Sequence, residues 1–237
     1  MKSATKVAAI TLGALMGLGG IEHGIGEILQ GNTAPTGIMF PSWPDSSFFR
    51  IVGGEPAMTV VPDLLVTGIL TILISLVFLV WDLFFIERKN SGLVLILLSV
   101  AMLVVGGGIF PPVIGVMMGV LATRIKAPLN WWRVHLTAAA RHFLGLVWPW
   151  SYGICVIAWL SLFPGINILA YFLGVNNPRY TVMLILFAFG SLLVTLFTGF
   201  ARDSERQALT PASAPEGTGT RRDQRKPGRR FSGNAKI

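Results

Sequence analysis

His23 and Glu27 stand one helical turn apart in the stretch "GGIEHGIGEILQGN", and Glu22 directly precedes the histidine. Imidazole titrates near neutrality and a neighbouring carboxylate tunes that value, so a histidine and a glutamate at i and i+4 can share a proton or hold a cation. Projected at about 100° per residue, Glu27 and His23 lie toward one side of a helix, and Glu22 points to the opposite face. Five acids, Glu22, Glu27, Asp45, Glu55 and Asp63, fall on one stretch of chain that is otherwise poor in charge. Such a grouping can form a vestibule that attracts cations. The expected proton or cation site is therefore His23 and Glu27, lined by Glu22 and Asp63. A hard-metal site would need further oxygen ligands from Asp63 or the loop, and no metal ligand set is firm in the sequence alone. The plainer reading keeps these acids as helix-end groups that satisfy local hydrogen bonds at a water interface.

The elements that hold these residues are apolar. Of 237 residues, 53% are hydrophobic and 13% charged, which is outside the usual soluble range and directs the search to spans of about 17 to 25 apolar residues. Six runs qualify: residues 7–30, 64–85, 92–110, 111–125, 143–163 and 180–200. The expected fold is an all-α polytopic bundle of about six transmembrane helices over residues 1–200, in the cell membrane. Seventeen of the 19 Lys and Arg residues fall on one side when the amino end is cytoplasmic, leaving Arg50 and Arg179 on the other. That bias places both ends inside. The first run also has a basic start and small residues "GLGG" resembling a cleavage region, so a signal peptide is the alternative for residues 1–19.

Depth follows from helix rise. Counted from Val7, Glu22 is ~22 Å and Glu27 ~30 Å along an apolar layer of ~30 Å, near its outer side. On the same helix Gly13, Gly17, Gly20 and Gly24 form a stripe about 60° wide that lets another helix approach closely. The third and fourth runs share about 34 residues, or ~51 Å of helix for two layers. They form either a tight hairpin or a re-entrant loop turning at Gly106, Gly107, Gly108, Pro111 and Pro112. Asp82 falls near the inner interface, where a structural ion pair with Arg124 or Arg141 is expected.

Residues 31–63 make a long outer loop with a hairpin expected around Gly53 and Gly54, weakened by Pro56. Residues 126–142, "KAPLNWWRVHLTAAARH", read as a cytoplasmic interfacial helix with a tryptophan anchor. Residues 201–237 read as a disordered basic cytoplasmic tail, whose cluster "RRDQRKPGRR" can attract anionic lipid headgroups. Nucleic acid is a poor fit, because no aromatics interleave the basic residues. His135 and His142 are ~10.5 Å apart along a helix, too far to ligate one metal together. The single Cys155 forbids an intrachain disulfide. No nucleotide loop, zincin pair, Cys cluster or nucleophile elbow occurs, and no cofactor can be named.

Together "GGIEHGIGEILQGN", "GGGIFPP" and "WWRVHL" resemble segments of multi-span prokaryotic membrane proteins without an assigned activity. The resemblance covers roughly Gly19 to Phe200 and implies a fold type, with no catalytic assignment. The leading functional expectation is a small transporter or channel-like protein for a proton or cation. The alternative is an accessory or assembly subunit, docking a membrane-protein partner or a second copy through the glycine stripe. An enzyme is disfavoured because no nucleophile and base are visibly paired.

Overall fold

The computed structural model describes residues 3–175 and 177–209, which form a helical bundle with a two-stranded sheet at one end. Helix α1 (Ala4–Leu29) lies along α2 (Leu64–Phe85) and α4 (Phe110–Ala122). Helix α3 (Ser91–Val104) pairs with α4, and α6 (Ala138–Leu160) with α8 (Pro178–Leu209). Helix α7 (Ile166–Leu173) follows α6 across a kink at Ser161–Gly165, where Phe163 leaves helical backbone at φ −135° and ψ 108°. Four stretches are long and apolar enough to cross a membrane: Ala4–Leu29, Leu64–Phe85, Ala138–Leu173 and Pro178–Leu209. Their outer faces expose Leu73, Phe84, Ile157 and Leu186, side chains that meet lipid at no cost. The chain thus has the build of a multi-pass membrane protein.

Two of the six expected spans are short. Helix α3 has 14 residues and α4 has 13, about 21 and 20 Å of helix against an apolar layer of ~30 Å. Their turn uses Gly106 at φ +112° and Gly108 at φ +76°, backbone that L side chains rarely adopt. Pro111 and Pro112 open α4, where a missing N–H breaks no helical bond. The tip does not end in open space: Val60 N donates to Val104 O at 3.1 Å, and Thr59 bridges Val105.

Strand β1 (Met39–Pro41) pairs antiparallel with β2 (Pro56–Met58), Met39 opposite Met58. The hairpin expected around Gly53 and Gly54 therefore draws its first strand from further upstream. Arg50–Val52 is a 3-10 turn instead, and Gly53, Gly54 and Glu55 follow at φ 70°, 75° and 56°. Three successive left-handed residues cannot lie in a strand. The loop packs inward through Trp43 stacked on Phe49 at 5.0 Å and Phe48 against Tyr171 at 5.9 Å.

The far end gathers several helix ends. Asp203 of α8 accepts from Ser3 Oγ at 2.6 Å, Ala4 N at 2.8 Å and Thr5 N at 2.9 Å, capping the unsatisfied donors that begin α1. Lys6 Nζ pairs with Glu87 Oε1 at 2.8 Å, and Lys126 Nζ donates to Glu87 O at 2.8 Å, tying the ends of α2 and α4 to the same place. The hydrogen bond from Lys6 holds the exposed Glu87 carboxyl below its ordinary range. Residues 201–209, expected in the tail, are helical: α8 runs to Leu209 with Ala201, Asp203 and Ser204 buried. Residues 210–237, including the basic cluster, lie outside the described residues. The interfacial helix expected over residues 126–142 is divided: α5 (Asn130–His135) is one piece, and residues from Ala138 already belong to α6.

Candidate functional site

His23 lies on the buried side of α1 with 3% of its surface exposed. Its Nδ1 is 2.9 Å from Gly19 O, one turn earlier, and 3.1 Å from Glu22 Oε2. Both are acceptors, so Nδ1 carries the hydrogen and donates. On the other side of the ring Nε2 is 3.3 Å from Glu55 Oε2. Glu55 reaches this position from the loop because Gly53, Gly54 and its own left-handed backbone turn the chain inward; the side chain is almost fully buried. Burial pushes its carboxyl up to about 8, against the opposing pull of His23. One carboxylate oxygen of Glu22 and one of Glu55 lie within 4.8 Å of each other and of a His23 ring nitrogen. Asn167 of α7 completes the group, its Nδ2 3.5 Å from Glu55 Oε1.

This is a different partnership from the expected one. Glu22 is a member, although its Cβ points away from that of His23. A helical projection fixes Cβ directions only, and three rotatable bonds let a glutamate fold around its neighbour. Glu27 has separate partners: Ser42 Oγ donates to its Oε1 at 3.5 Å, and Thr71 Oγ1 lies 3.3 Å from its Oε2. Thr71 also donates to Val105 O at 2.7 Å, so its one hydroxyl hydrogen faces two acceptors. Asp63 stands apart as the N-cap of α2, half-buried and accepting from Val66 N at 2.8 Å.

The glycine turn between α3 and α4 covers both groups. A Cβ at Gly106 would strike the Glu27 carboxylate, and one at Gly108 the His23 ring. Gly107 would meet Met102 in the same way. The turn residues singled out in the sequence are thus the floor of the site, with the loop above.

Along α1 the glycines face α2. Gly24 meets the Gly68 backbone, Gly20 meets Ser75 Oγ, Gly17 meets Phe78 and Leu79, and Gly13 meets Asp82. Asp82 meets neither Arg124 nor Arg141. Both its carboxylate oxygens are buried without a hydrogen-bond partner among the described residues, and a Cβ at Gly13 would come within 2.6 to 2.7 Å of them. The physical reason is facing: Asp82 is on the side of α2 turned into α1, whereas Arg124 is exposed beyond the end of α4. Glu55, Asn167, Thr71 and Ser75 lie outside the expected set. For Glu55 the available signal is the Gly-Gly pair before it, and for Thr71 and Ser75 the recurrence Thr67, Thr71, Ser75, Asp82 along one helical face.

A cavity of about 340 Å³ adjoins the histidine group, lined by Glu22, His23, Glu55 and Asn167 with apolar walls from Leu15 and Phe163. Glu22 Oε1 and Asn167 Oδ1 are buried there without hydrogen-bond partners. Comparison of the chain with family models, characterised proteins and solved structures found no match. The chemistry of the site is accordingly read from its own residues.

Proposed function

We propose that the protein is a small proton-handling transporter or channel-like protein whose path runs between α1 and α2, from Glu27 at the outer end toward Asp82 at the inner. The observation that carries this reading is the face of α2 turned into α1. Thr67, Thr71, Ser75 and Asp82 are each fully buried there, with Phe78 the apolar member of the row. Burying an unsatisfied polar group costs about 1 to 3 kcal/mol, and ionisable side chains within membrane helices mark ion and proton pathways. Ser and Thr also serve close helix packing in a membrane, and Thr67, Thr71 and Ser75 have hydrogen-bond partners, so the member that packing leaves unexplained is Asp82, which has none among the described residues.

The glycine face of α1 leaves room beside the row, with Gly20 against Ser75 and Gly13 against Asp82. Thr71 to Asp82 spans about 16 Å, half of an apolar layer of ~30 Å. Ser75 Oγ donates to Met102 Sδ at 3.0 Å, and the Phe78 ring closes the row below it. Rotation of that ring is the motion that would join the two halves. The titratable groups facing Glu27 are His23 and Glu22 on its own helix. Asp82 faces none from any element among the described residues.

In this reading both ends of the chain are cytoplasmic, as the distribution of Lys and Arg favours. The contact of Asp203 with the start of α1 supports an even number of crossings between them. The α3–α4 hairpin enters and leaves on the inner side, its tip beneath the outer loop, and the basic tail faces anionic headgroups.

The test is proton flux in proteoliposomes under a potassium diffusion potential, read by an internal pH dye. Wild type should acidify the lumen faster than protein-free vesicles, and Asp82→Asn and Glu27→Gln should each slow it by about tenfold or more. Wild-type flux equal to empty vesicles, or variants as fast as wild type, would remove the reading.

A further inference from the structure

Glu22, His23 and Glu55 each offer one ligating atom, and these atoms all lie within 4.8 Å of one another. Ligands to one ion at ~2.0 to 2.2 Å stand about 3 to 4.4 Å apart. The 3.3 Å between His23 Nε2 and Glu55 Oε2 falls inside that interval. The other ring nitrogen is held by Gly19 O at 2.9 Å and by Glu22 Oε2 at 3.1 Å, contacts that fix the tautomer and leave Nε2 free to bind, so Glu22 would ligate through its Oε1, which is buried without a hydrogen-bond partner among the described residues.

An independent observation comes from α7. Asn167 is 1% exposed and lines the same cavity, yet its side-chain oxygen has no hydrogen-bond partner. A buried acceptor left unmatched beside two carboxylates fits a cation, or a water held by one. No Lys or Arg among the described residues forms an ion pair with Glu22 or Glu55, which leaves the imidazole as their only charged neighbour there. Glu55 is also held inward by a left-handed backbone, a conformation that costs about 1 to 3 kcal/mol and collects at functional sites.

We infer that Glu22, His23 and Glu55 bind one first-row divalent metal ion of the zinc or cobalt kind, with Asn167 beside it and an open position toward the cavity. One imidazole with carboxylate oxygens suits such ions, whereas Ca²⁺ takes six to eight oxygens. The ligands are not the path carboxyls Glu27 and Asp82, although His23 and Glu22 face Glu27, and metal binding is read here without any flux.

The full chain, purified in mild detergent and stripped by chelator, is titrated with Co²⁺ alone, whose visible absorption reports coordination, and then with Zn²⁺ as competitor. One equivalent of Co²⁺ per chain, displaced by Zn²⁺, is expected. Affinity should fall by about 100-fold in His23→Ala and about 10- to 100-fold in Glu55→Gln, while Asp63→Asn binds as wild type. Glu22→Gln alters a half-buried side chain and keeps the experiment decisive where the deeper variants fail to fold; it should weaken binding by about tenfold. Absence of stoichiometric binding by the folded wild type, or undiminished binding in Glu22→Gln and Glu55→Gln, overturns the assignment. Loss of proton flux leaves it intact, since binding is measured without a membrane gradient.

Discussion

Asp82 and Glu55 are both buried carboxyl groups, but only Glu55 has partners among the described residues, and stability alone does not explain the position of Asp82. Asp82 has two buried oxygens and no hydrogen-bond partner among the described residues, and its neighbour across the interface is a glycine. Replacing such a group by an apolar one of similar size removes an unmatched polar burial, so Asp82→Val should raise stability by about 1 to 3 kcal/mol. The thermal unfolding midpoint in detergent measures this, and proton flux measured on the same sample should fall. A midpoint that drops would show that Asp82 has a structural partner. The two carboxylates differ in how far the sequence exposes them. Asp82 is visible at once as an acid in an apolar run, but its lack of a partner depends on which face of α2 turns toward α1. Glu55 is hidden because an irregular loop has no period from which to place a side chain. Only the left-handed turn at Gly53, Gly54 and Glu55 brings it onto His23.

At the scale of the elements, the helix pair α1 and α2 depends on backbone contact. Gly24 and Gly68 face each other so closely that a Cβ on Gly68 would stand 2.5 Å from Gly24 O and 2.8 Å from Ile28 N. Association of helices in lipid relies on such close packing because no hydrophobic drive separates helix from tail. Gly68→Ala must therefore push the pair apart, at an expected cost of about 1 to 3 kcal/mol. Gly153 in α6 supplies the comparison, since a Cβ there would meet nothing within 4 Å and alanine should be neutral or stabilising by up to about 1 kcal/mol. Equal unfolding midpoints for the two variants would contradict the argument. The glycine stripe on α1 is legible from its spacing, and the shortness of α3 and α4 from the chain length available to them. What occupies the far side of the stripe is not, because α2 is apolar on nearly all sides and its few hydroxyls give a weak phase.

Across the described residues, the start of α1 is tied to the later turns of α8, and the site lies at the opposite end of α1. Asp203 caps α1 from α8, and Glu87 joins α1, α2 and the end of α4. The loop over residues 31–63 covers His23 at the other end through the sheet and the Thr59 bridge to Val105. If the bundle crosses the membrane along its helices, Ser47 lies on one side, and Lys89, Thr123 and Ala208, all exposed, lie together on the other. The chain is suited to this test because Cys155, its single cysteine, is fully buried. Wild type should therefore stay unlabelled by a membrane-impermeant maleimide. Ser47→Cys should react in intact cells, whereas Lys89→Cys, Thr123→Cys and Ala208→Cys should react only after permeabilisation. Labelling of Lys89→Cys and Thr123→Cys from opposite sides would mean that α3 and α4 make an odd number of crossings, which their 14 and 13 residues do not readily supply. Labelling of Ser47→Cys and Ala208→Cys from the same side would remove the vectorial arrangement on which a path from Glu27 to Asp82 depends.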